Sequence, residues 1–221
     1  MAMTDSEVDD LIAAALKAHR DAWDTDDEDL SMIIALQDLS RSRPRSPDVN
    51  LPAADRAVDW GLRTLDSDDR IERVFAICLI REMHREDEVA TALLDRLRRE
   101  DDPAVIHWCI SGLGFRGTPD ALPDLERYAH HPDPDVRYSV AGAVSGCALP
   151  KMNDGALTTL LKLADDEVAD VRFSALYELS SWWQHSGLRD PRAETRLRAG
   201  LDDPDEGVRF TCAEAFEPEQ P

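Results

Sequence analysis

Apolar residues return along this chain at the spacing of one helix face. Counting from a Val or Ile as position zero, positions 0, 4 and 8 read Ile71, Phe75, Leu79; Val105, Cys109, Leu113; Val136, Val140, Val144; Val171, Ala175, Leu179; and Val208, Cys212, Phe216. All fifteen are apolar, and at about 100° per residue they share one side of a helix. Successive copies begin 34, 31, 35 and 37 residues apart, which marks an internal repeat. The clearest copy runs from Asp133 to Val144, where Asp133 can cap a helix whose first residue is Pro134. Position 7 reads Cys78, Gly112, Ala143, Glu178 and Ala215: small residues that let helices approach, with Glu178 breaking the rule.

The pattern predicts helix, short turn, helix throughout. Segments 5–20 and 26–40 form a first pair, with an acidic turn from Asp24 to Asp29 between them. Arg41 to Asp48 holds two prolines and no apolar residue, and reads as a loop. From Pro52, first helices are expected over 52–65, 87–100, 119–130, 154–164 and 191–201. Second helices should open near 69, 103, 134, 167 and 205. Asp102-Pro103, Gly117-Thr118-Pro119 and Asp190-Pro191 supply the stop and start signals. No alternating β-branched run competes, so the fold class is all-α. Residues 1–50 are expected to be an atypical N-terminal helical pair and loop that cap an array over 51–221, because an end repeat must turn a polar face outward.

From Gly117 to Leu125 and from His131 to Tyr138 the residues resemble the HEAT-repeat family, and more narrowly its short phycobilisome-lyase type. The likeness extends from about residue 65 to 217, with a period shorter than the roughly 40–47 residues of ordinary HEAT units. The resemblance implies a right-handed α-solenoid of about five to six two-helix repeats, with second helices on its concave face. It also implies a ladder of hydrogen bonds along the stack. Arg137, Arg172 and Arg209 would be the donors, and Asp133, Asp166 and Asp203 the acceptors. Glu72 and Ile106 fill the arginine position in the first two copies and would interrupt that ladder. Most such proteins are binding scaffolds, and a minority are enzymes.

Charge narrows the partners. Asp and Glu number 46 against 25 Lys and Arg, for a net charge of −21 spread along the chain. Such a surface repels phosphates and anionic lipid and steers a basic partner toward it; nucleic acid and membrane are not expected partners. A HEAT-like DNA glycosylase, whose concave face is basic, is disfavoured on the same ground. Cys78, Cys109, Cys147 and Cys212 include no C-x-x-C pair, and three fall at core positions of the repeat, which fits reduced thiols in a cytoplasmic monomer. The acidic N-terminal residues carry no apolar signal segment, and no run is long enough to span a membrane.

Candidate chemistry is sparse. Gly112, Gly114 and Gly117 match G-x-G-x-x-G but end a helix instead of following a strand, so they read as packing and capping glycines. His130-His131 lies in an inter-helix turn without the (i, i+4) histidine pair or nearby thiolate of a zinc site. Neither a metal nor a cofactor is expected, and no catalytic constellation can be read. Glu178 either reaches the rim or sits buried with a raised pKa. Position 2 of the second helices reads Arg73, His107, Tyr138, Phe173 and Phe210, flanked by Trp108; with Trp183 these aromatic residues are the candidate partner-binding ridge. The leading expectation is a non-enzymatic scaffold whose acidic groove takes a basic protein or peptide, including the case of an inhibitor that masks such a partner. The alternative is a lyase-like enzyme acting on a tetrapyrrole or a protein-bound group.

Overall fold

A computed structural model describes residues 4–23, 51–187 and 189–217. The expected helix over 26–40 and the loop over 41–48 lie outside the described residues. Contacts divide the chain into two compact units, Met1–Arg116 and Gly117–Pro221. Every regular element among the described residues is helical.

The first unit contains α1 (Asp5–Ala22), α2 (Leu51–Thr64), α3 (Arg70–Ile80), α4 (Glu86–Arg99) and α5 (Pro103–Arg116). The α1 helix opens with a capping box: Glu7 N–H donates to the Thr4 hydroxyl, and Thr4 N–H donates back to the Glu7 carboxylate at 2.7 Å. It packs on α2 and α3, while α3 and α5 lie side by side with α4 against α5. Val74 through Ile80 are all buried, so α3 is apolar all round over its last two turns.

The second unit contains a 3-10 turn at Pro119–Ala121, α6 (Leu122–Tyr128), α7 (Pro134–Cys147), α8 (Asp154–Leu163), α9 (Ala169–His185), α10 (Pro191–Gly200) and α11 (Glu206–Glu214). Second helices α7, α9 and α11 pack in succession as one layer, and first helices α6, α8 and α10 form the other. Asp133, Asn153, Asp190 and Asp205 each accept an amide of the following first turn. Gly117 has φ +62°, the left-handed conformation in which glycine pays no Cβ penalty, at the end of the preceding helix. At Gly200 a Cβ would strike Cys212 Sγ, so only glycine lets α10 approach α11 this closely.

Thirteen of the fifteen stripe residues are buried, and the exceptions, Ile71 and Phe216, lie in the first and last copies. The first copy needs a correction of register. Arg137 and Arg209 stand four residues beyond their N-caps, Asp133 and Asp205; four residues beyond the α3 cap, Asp69, stands Arg73. Arg73 therefore occupies the arginine slot and Glu72 the slot before it. The ridge position of this copy falls on Val74, which is completely buried. Ile71 fits the stripe by residue type alone, being apolar next to a run in which nearly every residue is apolar.

Candidate functional site

The polar turns between helices hold a repeated unit of charge. Arg137 donates from Nε and Nη2 to both Asp166 oxygens, at 2.7 and 2.9 Å, while its Nη1 donates to the His131 and Pro132 carbonyls. Arg172 repeats this with Asp203, both bonds at 2.9 Å, and with the Asp166 and Glu167 carbonyls. Arg209 keeps the carbonyl half, donating to Asp203 and Pro204. Each aspartate also accepts an amide of its own turn, from Val168 and Asp205 respectively. Asp133 instead accepts the Asp135 amide as a helix cap.

Arg73 makes the same rung in the first unit, with Glu100 as acceptor and the Ser67 and Asp68 carbonyls on Nη1. Glu100 further accepts the Asp101 and Asp102 amides and pairs with Arg96 at 2.7 Å. The Asp203 carboxyl is held low first by Arg172. Burial pushes Asp166 and Glu100 upward, but their guanidinium and amide donors outweigh it and both end below the ordinary carboxyl range. In the α5 copy the arginine slot holds Ile106. His131 fills the acceptor slot of the next turn, where its Nδ1 accepts the Asp133 amide.

The candidate aromatic residues separate by unit. In the first, the His107 and Trp108 rings meet edge to face at 5.3 Å, and the Arg81 guanidinium lies 5.4 Å from the Trp108 ring. In the second, Tyr138 on α7 and Phe210 on α11 are 43% and 65% exposed. Phe173 on α9 stacks on Tyr177 at 6.2 Å and covers Gly207 of α11. Tyr177, 53% exposed, belongs with them and was not singled out from the sequence, although it stands one helical turn beyond Phe173. Trp183 is sandwiched between Phe216, at 6.2 Å, and the Arg189 guanidinium, at 4.7 Å. Trp182 turns inward, its indole N–H donating to Ser145 Oγ at 2.6 Å.

On the same two helices a cavity of about 430 Å³ opens between α7 and α9. Gly142, Ser145, Gly146, Leu149 and Pro150 form one wall; Glu178, Ser181, Trp182, His185 and Ser186 form the other. The Ser145 hydroxyl, committed as an acceptor to Trp182, donates its proton to Glu178. Burial nevertheless dominates and raises the Glu178 pKa above the ordinary carboxyl value. The His185 ring bonds the Ser181 carbonyl through Nδ1 at 3.1 Å; a carbonyl can only accept, so that nitrogen carries the proton. The four cysteines are buried and none is in a disulfide, and burial lifts the Cys147 and Cys212 thiols to about 11, well away from nucleophilic use.

Residues 90–180 match the family model for HEAT repeats. No curated protein matches the chain. Among solved structures, YibA of Escherichia coli is similar at 17% identity and a TM-score of 0.58, over 96% of this chain and 75% of its own. A designed armadillo repeat protein in complex with the peptide (KR)4 is similar at 16% identity and a TM-score of 0.54, over 93% of this chain and 98% of its own. One chain of the Pds5–Scc1 complex is similar at 15% identity and a TM-score of 0.55, over 96% of this chain and 37% of its own. At these identities the likeness is one of fold, an all-helical repeat architecture of the solenoid type. Among the described residues no helix is long and apolar enough to cross a membrane.

Proposed function

We propose that the chain is a non-enzymatic scaffold that binds a basic protein or peptide along the second helices of its repeats. The observation that carries this reading is the set of aromatic residues formed by exposed Tyr138, Tyr177 and Phe210 and half-buried Phe173, offered by three successive helices of one unit. Rigid aromatic side chains with polar edges bury much area at low entropic cost, which is what interface anchors require. The second unit carries 20 acidic against 10 basic residues. The repeated use of its arginines in rungs and surface pairs leaves that excess of negative charge to attract a cationic partner. Two similar folds support the reading by what they hold: one a Lys/Arg peptide, the other a protein subunit. An inhibitor masking a basic partner is the form of this function in which the charge matters most.

The test is fluorescence anisotropy with a labelled alternating Lys-Arg peptide. Binding is expected at about 50 mM salt and should weaken steeply toward about 300 mM. Tyr138→Ala/Phe173→Ala, which leaves every charge in place, should weaken it at least about tenfold. Equal binding by the double variant would show that charge alone attracts the peptide, and the aromatic surface would lose its assigned role.

A further inference from the structure

The cavity between α7 and α9 has a chemical character that the aromatic surface does not explain. Among its described lining residues Glu178 is the one carboxylate, and none is Lys or Arg. The walls are built around the last turns of helices: Ser145 and Gly146 end α7, with Leu149 just beyond it, and Ser181, Trp182 and His185 end α9. Helix C-termini present carbonyl oxygens and the negative end of the helix dipole, so two of them converge on one space with a carboxylate between. The Trp182–Ser145–Glu178 chain of hydrogen bonds fixes the direction of the acid and leaves its other lone pairs for a guest. Gly142 and Gly146 keep the α7 wall low, and a Cβ built on Gly142 meets no atom within 4 Å.

We propose that this cavity is a binding site for a primary ammonium or guanidinium group, with Glu178 as its counter-charge. A cation here satisfies the acid that burial otherwise penalises, and its remaining N–H groups find the serine hydroxyls of the walls. The cavity also continues the face of its helices that carries the aromatic residues. On α7 that face runs Tyr138, Gly142 and Ser145, with Leu149 just past the helix end; on α9 it runs Phe173, Tyr177, Ser181 and His185. The cation can therefore come from a free amine or from the Lys or Arg side chain of a chain lying on the aromatic residues. The site itself stands whether or not that second source exists.

The experiment is an NMR titration of the full chain that follows the Trp182 indole N–H, whose acceptor Ser145 touches Glu178. The probes are n-butylammonium, N-acetyl-lysine methylamide and uncharged 1-butanol. A saturable shift is expected with either or both amines and not with butanol; whichever amine binds more tightly identifies a free or a peptide-borne cation as the better source. Glu178→Gln should weaken amine binding at least about tenfold. Gly142→Leu, which fills the cavity from an unobstructed position and improves helix propensity, should abolish it without loss of thermal stability. No saturable shift with either amine, an equal response to butanol, or undiminished binding by Glu178→Gln would overturn the assignment. Tyr138→Ala/Phe173→Ala should leave n-butylammonium binding intact, so failure of the peptide-scaffold reading and failure of the cation site give different results.

Discussion

Glu178 stands where three other copies of the repeat place Gly or Ala, and the consequence is a carboxyl group that is harder to ionise in the folded chain than in the unfolded one. The sign of the pH dependence follows. Below the ordinary carboxyl range the group is protonated in both states and costs nothing. As pH rises toward neutral the unfolded chain ionises it freely while the folded chain resists, so stability falls until the folded-state pKa has been passed. Glu178→Gln removes this loss. Its thermal midpoint should equal that of the parent near pH 4 and exceed it by a few degrees at pH 7 to 8, measured by circular dichroism melts. A variant less stable than the parent at neutral pH would mean that the carboxylate is held by donors beyond Ser145.

At the level of the element, the recurring device is a second helix whose arginine, four residues past the cap, grips the carboxylate of the following inter-helix turn. With Arg172 and Asp203 side chains only 13% and 7% exposed, removing either partner leaves the other charge in a poorly solvated place. Arg172→Met and Asp203→Asn should each cost about 3 kcal/mol in urea unfolding, while the double variant should cost clearly less than their sum. The rungs and Glu178 respond to acid in opposite senses. The Glu100, Asp166 and Asp203 pKa values are depressed, so their contribution is complete above the unfolded carboxyl pKa and disappears as pH falls through the folded values. Below about pH 4 the parent should lose stability, and Arg172→Met should lose less of it because one depressed carboxyl has been released. The arginine positions on α7, α9 and α11 were legible because Val-Arg recurs at Val136, Val171 and Val208. The Arg73–Glu100 rung was not, since a shift of one residue and a Glu in place of Asp hide it until the cap and the carbonyl contacts fix the register.

For the whole molecule, a net charge of −21 is the largest single electrostatic fact. Like charges spread over a folded surface repel one another more than they do along an expanded chain, so added salt should stabilise the fold while it weakens attraction to a basic partner. Raising sodium chloride from about 20 mM to 300 mM should therefore increase the melting midpoint by a few degrees in the same samples whose peptide affinity falls. A midpoint that falls with salt would mean that surface ion pairs such as Arg192 with Asp154 and Asp190 outweigh the repulsion.

The periodic stripe, the Asp-Pro and Gly-Thr-Pro punctuation and the composition were enough to determine helices, their order and the repeat. Those properties depend on local backbone preference and on which face must leave water, both of which are written into neighbouring residues. Candidate surface aromatics could also be named, because position along a helix sets which side a residue takes. Whether a given ring is spent on packing could not be read: Trp182 turns inward to Ser145 and Trp183 is covered by Phe216 and Arg189, although the two are adjacent in sequence. Only the tertiary structure gathered Ser145, Glu178 and Trp182 around one cavity, since 33 residues of chain separate the serine from the acid and only the packing of α7 on α9 closes that distance. A pKa, a cavity and a hydrogen-bond relay are properties of what surrounds a group, and those surroundings come from other repeats.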